Sequence, residues 1–306
     1  MNANEWSLIT FTILAQMAVG SFLVLGVVHY ATRRAAGAEA ADRMSDRALL
    51  AIGPVLALAM LASLFHLGNP LAAPRAVTNL GSSWLSREIF FGVLFAASGG
   101  LFALMQWRKL GTAALRTGLA LLAALLGVGL VVSMSMVYLL PTQPAWNSVA
   151  TPLSFVITAL LLGVFAMGAA FVANYAYLRR ADPECAEEQC ALLRRALRWI
   201  ALSAIVLLGV QVVTIPLYLA SLGAGEAAAL ESVRLMTEEY GLLLAIRLAL
   251  LFLGAGILGF FLYQNATSAG RERIMGNLTY AAFAFVLVAE VMGRFLFYAS
   301  HIRIGV

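Results

Sequence analysis

Eight uninterrupted apolar runs constrain this chain more than any other feature; they cover approximately residues 6–30, 48–67, 89–107, 119–140, 152–178, 199–222, 241–263 and 277–299. A helix rises ~1.5 Å per residue, so a run of ~20 residues spans the ~30 Å of hydrocarbon in a bilayer. Inside that hydrocarbon every backbone polar group must be satisfied internally, which leaves helices and closed barrels. A barrel would show segments of ~10 residues with alternating polarity, and these runs do not alternate. The expectation is therefore an all-α polytopic membrane protein with eight transmembrane helices, forming a single integral membrane domain over residues 1–306. The first run reaches Tyr30, too far for a signal-peptide core, and reads as a retained first helix.

Charge then sets orientation. Only 11% of the residues are charged, against roughly 25% in soluble domains. Fourteen of the 20 basic residues lie in the loops after helices one, three, five and seven, including Arg33, Arg34, Arg43, Arg47, Lys109 and Arg116. The positive-inside rule puts those loops in the cytoplasm and both termini outside, an N-out/C-out topology. The net charge of +5 is accordingly a topology signal, and no nucleic-acid partner is expected. Cys185 and Cys190 fall in one of the charged loops and read as a surface thiol pair without a function. They are too few to ligate an iron–sulfur cluster.

Ionisable residues within membrane spans are costly and therefore informative. Arg247 lies ~9 Å into the seventh run at ~1.5 Å per residue. Glu290 and Arg294 are spaced i,i+4 in the eighth, on one face and within reach of each other. His66 ends the second run and Glu88 opens the third at the same level. These five groups belong to the outer half of the membrane, and the inner half is expected to hold essentially none. A structural reading makes Glu290–Arg294 a self-neutralising pair and lets Arg247 snorkel outward. Trp84 and Trp146 read equally well as anchors at the bilayer interface or as part of a docking face. A functional reading starts from His66, whose neutral imidazole beside apolar surface is suited to accept a proton. A quinol needs such a slot, with one or two polar groups at its hydroxyls.

Other classes fit less well. The three histidines, His29, His66 and His301, are not placed to enclose a haem. No Cys/His cluster points to a metal site. A small-solute transporter would show repeat symmetry; Pro54 and Pro216 interrupt two runs, but matching halves are not evident. A purely structural anchor for soluble partners is the remaining alternative.

Several motifs carry a family resemblance. Ser63-Leu64-Phe65-His66-Leu67-Gly68-Asn69-Pro70 and Gly81-Ser82-Ser83-Trp84-Leu85-Ser86-Arg87-Glu88-Ile89 resemble the second helix, outer loop and third-helix entry of the dimethyl sulfoxide reductase membrane anchor subunits. Pro144-Ala145-Trp146-Asn147-Ser148 with Thr151-Pro152 is similar to that family's fourth loop. Tyr240-Gly241 with Arg247, and Ala289-Glu290-Val291-Met292-Gly293-Arg294 with Phe297-Tyr298 and His301, are similar to its last two helices; Glu5-Trp6 and Gln16 also fit. After His-Leu-Gly-x-Pro the family often places Arg and then an aromatic, where Ala72 and Pro74 stand here; Arg75 is the nearby substitute.

The resemblance implies a complex in a bacterial or archaeal cytoplasmic membrane. A molybdopterin catalytic subunit and a ferredoxin-like iron–sulfur subunit would dock on the outer face. The anchor would oxidise menaquinol to menaquinone and carry no haem or iron–sulfur cluster itself. His66 matches the family histidine associated with quinol, with Glu88 as the expected proton relay. Gly68, Arg75 and Trp84 would line the pocket, above a polar floor of Arg247, Glu290 and Arg294.

Overall fold

The computed structural model describes residues 3–65, 77–181 and 186–304. Among them, seven helices are long and apolar enough to cross a membrane. The first, α1 (Ala3–Leu64), continues through residues 31–47, where a loop is expected from charge. That stretch is rich in Ala and Arg, both strong helix formers, so the chain stays helical where it becomes polar. Its two arms meet at Gly37, which has φ 89° and ψ 174°, a conformation open to a residue without a Cβ. The chain folds back there: Thr32 Oγ1 lies 3.9 Å from Met44 Sδ and His29 Nε2 4.0 Å from Asp42 Oδ1. In a straight helix residues so far apart in sequence would be ~20 Å apart.

Helix α2 (Trp84–Trp107) begins five residues before its apolar run, where the Ser83 hydroxyl accepts from the Ser86 amide. Helix α3 (Ala113–Met136) starts earlier than expected for the same reason, with Thr112 accepting from Leu115. Caps of this kind satisfy amides that the helix itself cannot. Helix α4 (Ala150–Ala181) closely follows its apolar run, whereas α5 (Ala186–Gly223) begins well before its own. A short helix α6 (Ala227–Arg234) leads to α7 (Gly241–Asn265), which widens into a π-helical stretch over Phe252–Leu258, and then to α8 (Glu272–Ala299).

α4 is the centre of the bundle, packed against α1 on one side and against α5 and α8 on the other, with α2 and α3 paired beside α1. The α1–α4 contact is backbone on backbone. A Cβ on Gly20 would lie 1.7 Å from the Ala159 carbonyl oxygen, and one on Gly163 would lie 2.3 Å from Gly20 C. Membrane helices lack a hydrophobic force to join them and rely on this kind of close approach at small residues.

The bundle has two unlike ends. At the basic end, Lys109 bridges to Asp42 and Asp46, and Asn174 Nδ2 donates to the carbonyls of Arg43 and Met44. Cys190 is buried there, its thiol 3.0 Å from Glu272 Oε1, so the expectation of a surface thiol is wrong for it. It sits on the extension of α5 down to Ala186, with Arg194 one turn on and Glu272 of α8 against the thiol. Cys185 lies outside the described residues. At the opposite, charge-poor end, the turn after α3 is strapped down: Trp146 Nε1 donates to the Phe297 carbonyl at 2.7 Å and Tyr218 to the Ala145 carbonyl at 2.6 Å.

Candidate functional site

The embedded charges come together near the charge-poor end, on α7 and α8. Glu290 is 2% exposed, and both its oxygens are engaged: Thr158 Oγ1 of α4 donates at 2.6 Å and Gln211 Nε2 of α5 at 2.9 Å. Arg294, 4% exposed, donates from Nη2 to Gln16 Oε1 of α1 at 2.9 Å. Its guanidinium carbon lies 3.6 Å over the Phe155 ring, a stacking that suits the flat, weakly hydrated guanidinium. No ion pair joins Glu290 and Arg294 among the described residues. The i,i+4 spacing places them on one face, but neutral partners on neighbouring helices win both side chains. Arg247 of α7 is packed against Gly293.

Between α4, α5, α7 and α8 these residues line a cavity of about 100 Å³. Several of its polar atoms lack partners: Arg247 Nε, Arg294 Nε and Gln211 Oε1 are enclosed with no hydrogen bond. Buried polar atoms are normally satisfied, so these are points where water or a ligand oxygen is wanted.

A second polar feature adjoins it. Tyr138, just after α3, and Tyr298 of α8 share a 2.7 Å hydrogen bond between their hydroxyls. Both phenols are within electrostatic reach of Arg294 on one side and of Glu88 on the other. Glu88, 8% exposed near the start of α2, has no hydrogen-bond partner among the described residues. The structure thus brings Glu88, Arg247, Glu290 and Arg294 to one end of the molecule, as expected. His66, Gly68 and Arg75 lie outside the described residues. Phe65, the last described residue before them, is 76% exposed.

Trp84 does not reach this cluster through any described contact; its ring carries the Arg87 guanidinium at 4.1 Å. Trp146 is no free interface anchor either, being stacked on Phe297 at 5.3 Å and on His301 at 5.1 Å. Sequence reasoning missed Thr158, Gln211 and Tyr138. Polar residues within apolar runs were the available signal for the first two. At the basic end, His29, Asp42 and Asp46 line a second cavity inside the elbow of α1. Among the described residues no group of three or more His, Cys, Asp and Glu is placed to hold a metal ion.

The sequence matches known proteins over nearly its whole length. Residues 1–300 match the family described as DMSO reductase anchor subunit (DmsC). The C subunit of the anaerobic dimethyl sulfoxide reductase of Escherichia coli (strain K12) is 29% identical over 309 residues, covering 99% of this protein and 96% of that one. The anaerobic dimethyl sulfoxide reductase subunit YnfH of the same organism is 28% identical over 302 residues, with the same coverage. The corresponding C subunit from Haemophilus influenzae is 26% identical, covering 98% and 96%. This multi-pass membrane protein belongs to the dimethyl sulfoxide reductase anchor subunit family.

Proposed function

We propose that the protein anchors a molybdopterin/iron–sulfur oxidoreductase complex and oxidises menaquinol at its charge-poor end, passing electrons to a docked iron–sulfur subunit. On this reading the chain makes eight crossings in one membrane domain, counting one for each arm of α1, with both termini outside and that end on the outer face. The fourteen basic residues gathered at the other end support this orientation. The observation that carries the reading is the set of enclosed polar atoms with no hydrogen bond among the described residues, Arg247 Nε, Arg294 Nε and Gln211 Oε1, with the buried Glu88 at the same end of an otherwise apolar bundle.

Their chemistry is complementary to a quinol and its product. A quinol hydroxyl donates a hydrogen bond and needs an acceptor, which Glu88 and His66 offer. The quinone carbonyls accept, and guanidinium N–H groups donate. Oxidation releases two electrons and two protons from the two hydroxyls. The electrons leave one at a time to the partner's cluster. His66 takes a proton and Glu88 relays it outward, while Glu290, held by Thr158 and Gln211, offsets part of the charge of the two arginines. On this proposal Gly68 and Arg75 would contribute to the quinol pocket, with Trp84 at the start of α2. Protons and electrons depart on the same side, so this half-reaction moves no net charge across the membrane.

The test is a binding titration of a fluorescent naphthoquinol analogue on the purified complex. Saturable binding, weakened about tenfold (~1.4 kcal/mol) or more in His66→Ala, is the expected result. Equal affinity in wild type and His66→Ala, with the complex intact, would refute the assignment.

A further inference from the structure

The basic end holds a larger cavity that the reading above does not use. Along the first arm of α1, ~20 Å from Gln16 at ~1.5 Å per residue, helices α1, α2 and α3 enclose a space of about 500 Å³. That lies within the ~300–1,000 Å³ typical of small-ligand sites. Its walls are apolar, with Phe22, Leu25, Phe102 and Ala124 among them. Its mouth is framed by Val27, Tyr30 and Leu121, which are 69%, 59% and 62% exposed. These residues sit on the outer surface of apolar helices, so the mouth opens toward lipid.

The inner end of the cavity is polar and already organised. Gln106 Nε2 donates to Asp42 at 2.9 Å and to Asp46 at 3.0 Å, and Lys109 Nζ reaches the same two carboxylates at 2.8 and 2.7 Å. Arg116 is spent on Gln106 Oε1 and on the carbonyls of Leu110 and Gly111. Besides the exposed Arg33, two lining groups nearer the polar end are left over. Ser45, 4% exposed, has an enclosed hydroxyl without a partner. The His29 imidazole, 4.0 Å from Asp42, makes no hydrogen bond among the described residues.

We propose that this cavity is a second binding site for a quinone-class molecule, a neutral aromatic diol or dione on an apolar tail, at the end of the bundle opposite the quinol-oxidation site. The apolar walls and the lipid-facing mouth select a membrane-soluble ligand. The Ser45 hydroxyl and His29 imidazole each donate or accept, so they serve a hydroxyl and a carbonyl alike. A phospholipid head fits the enclosed polar end poorly, since its phosphate would meet two carboxylates with Lys109 and Arg116 already committed. Arg33, the remaining basic residue of the lining, is exposed, and the phospholipid probe tests whether it draws a phosphate there. The site binds without chemistry of its own.

Photolabelling of the assembled complex in its membranes tests this with two probes, an azido-naphthoquinone and a photoreactive phosphatidylglycerol. Gly26 lines the cavity, and a Cβ built on it meets nothing within 4 Å, so Gly26→Leu adds bulk to the cavity from a position with open space around it. The naphthoquinone is expected to label peptides containing Val27–Tyr30 and Leu121, and to lose about tenfold of that labelling in Gly26→Leu. Ser45→Ala should weaken it by a smaller factor, with labelling at the charge-poor end unchanged in both variants. The phospholipid probe should label wild type and Gly26→Leu alike. Absent labelling in wild type, labelling indifferent to Gly26→Leu, or phospholipid labelling that Gly26→Leu abolishes would each overturn the proposal. Labelling at the basic end alone would leave it standing and defeat the quinol-oxidation site instead.

Discussion

The Arg247 guanidinium occupies the space that a side chain on residue 293 would fill: a Cβ on Gly293 would lie 2.5 Å from Arg247 Nε, 2.6 Å from Cζ and 2.7 Å from Nη2. Bare backbone on α8 thus makes room for the α7 arginine one position before Arg294. Gly293→Ala must displace that guanidinium from a buried place. Overpacking of this kind costs about 1–3 kcal/mol. The expected outcome is an assembled complex with a lowered thermal midpoint and a raised KM for quinol, measured by calorimetry and by steady-state kinetics on the same preparation.

Glu290 ties three helices together. Glu290→Ala removes the acceptor of Thr158 and Gln211 and leaves two buried arginines without their only close carboxylate among the described residues. Breaking such an arrangement costs on the order of 3–5 kcal/mol, enough to deplete the folded protein in membranes. Glu290→Gln keeps an acceptor for one partner and should retain more folded protein than Glu290→Ala. Quantifying detergent-extracted, monodisperse protein for the two variants checks the order.

Lys109 gives a pH-dependent prediction at the basic end. Partial burial alone would lower its pKa, but hydrogen bonds to Asp42 and Asp46 outweigh this and raise it above the usual lysine value. A folded-state pKa above the unfolded one contributes stability that is complete below the unfolded value, ~10.4, and is lost as pH climbs through the folded one. The thermal midpoint should therefore fall above about pH 10, and Lys109→Met should flatten that limb while lowering the midpoint at neutral pH. An unchanged alkaline limb in Lys109→Met would contradict the assignment.

The helices were legible because hydropathy over twenty residues is set by the bilayer, whatever the tertiary packing. Their ends were not. Residues 31–47 are polar and read as a loop, yet polarity and helix propensity are different properties, and here Ala and Arg supply the second. The Arg247–Glu290–Arg294 grouping could be read from sequence because charge within an apolar run is rare. Its partners could not: Gln16, Thr158 and Gln211 come from three other helices, and only packing shows that they intercept the expected Glu290–Arg294 pair. The cavity at the basic end was hidden for a related reason. His29, Asp42 and Gln106 meet only because Gly37 folds α1 back and α2 ends beside the elbow. The roles of His66, Gly68 and Arg75 rest on sequence resemblance, since these residues lie outside those described.

Single-turnover reduction of the partner's iron–sulfur clusters reads the central claim directly. A reduced naphthoquinol mixed with the oxidised complex should reduce the clusters in wild type. In His66→Ala and Glu88→Gln the rate should be slower by about 10²-fold or more, as is usual when a proton-accepting group is lost. A soluble reductant acting directly on the clusters should work equally in all three. Cluster reduction by quinol at the wild-type rate in His66→Ala, with the subunits assembled, would contradict the account.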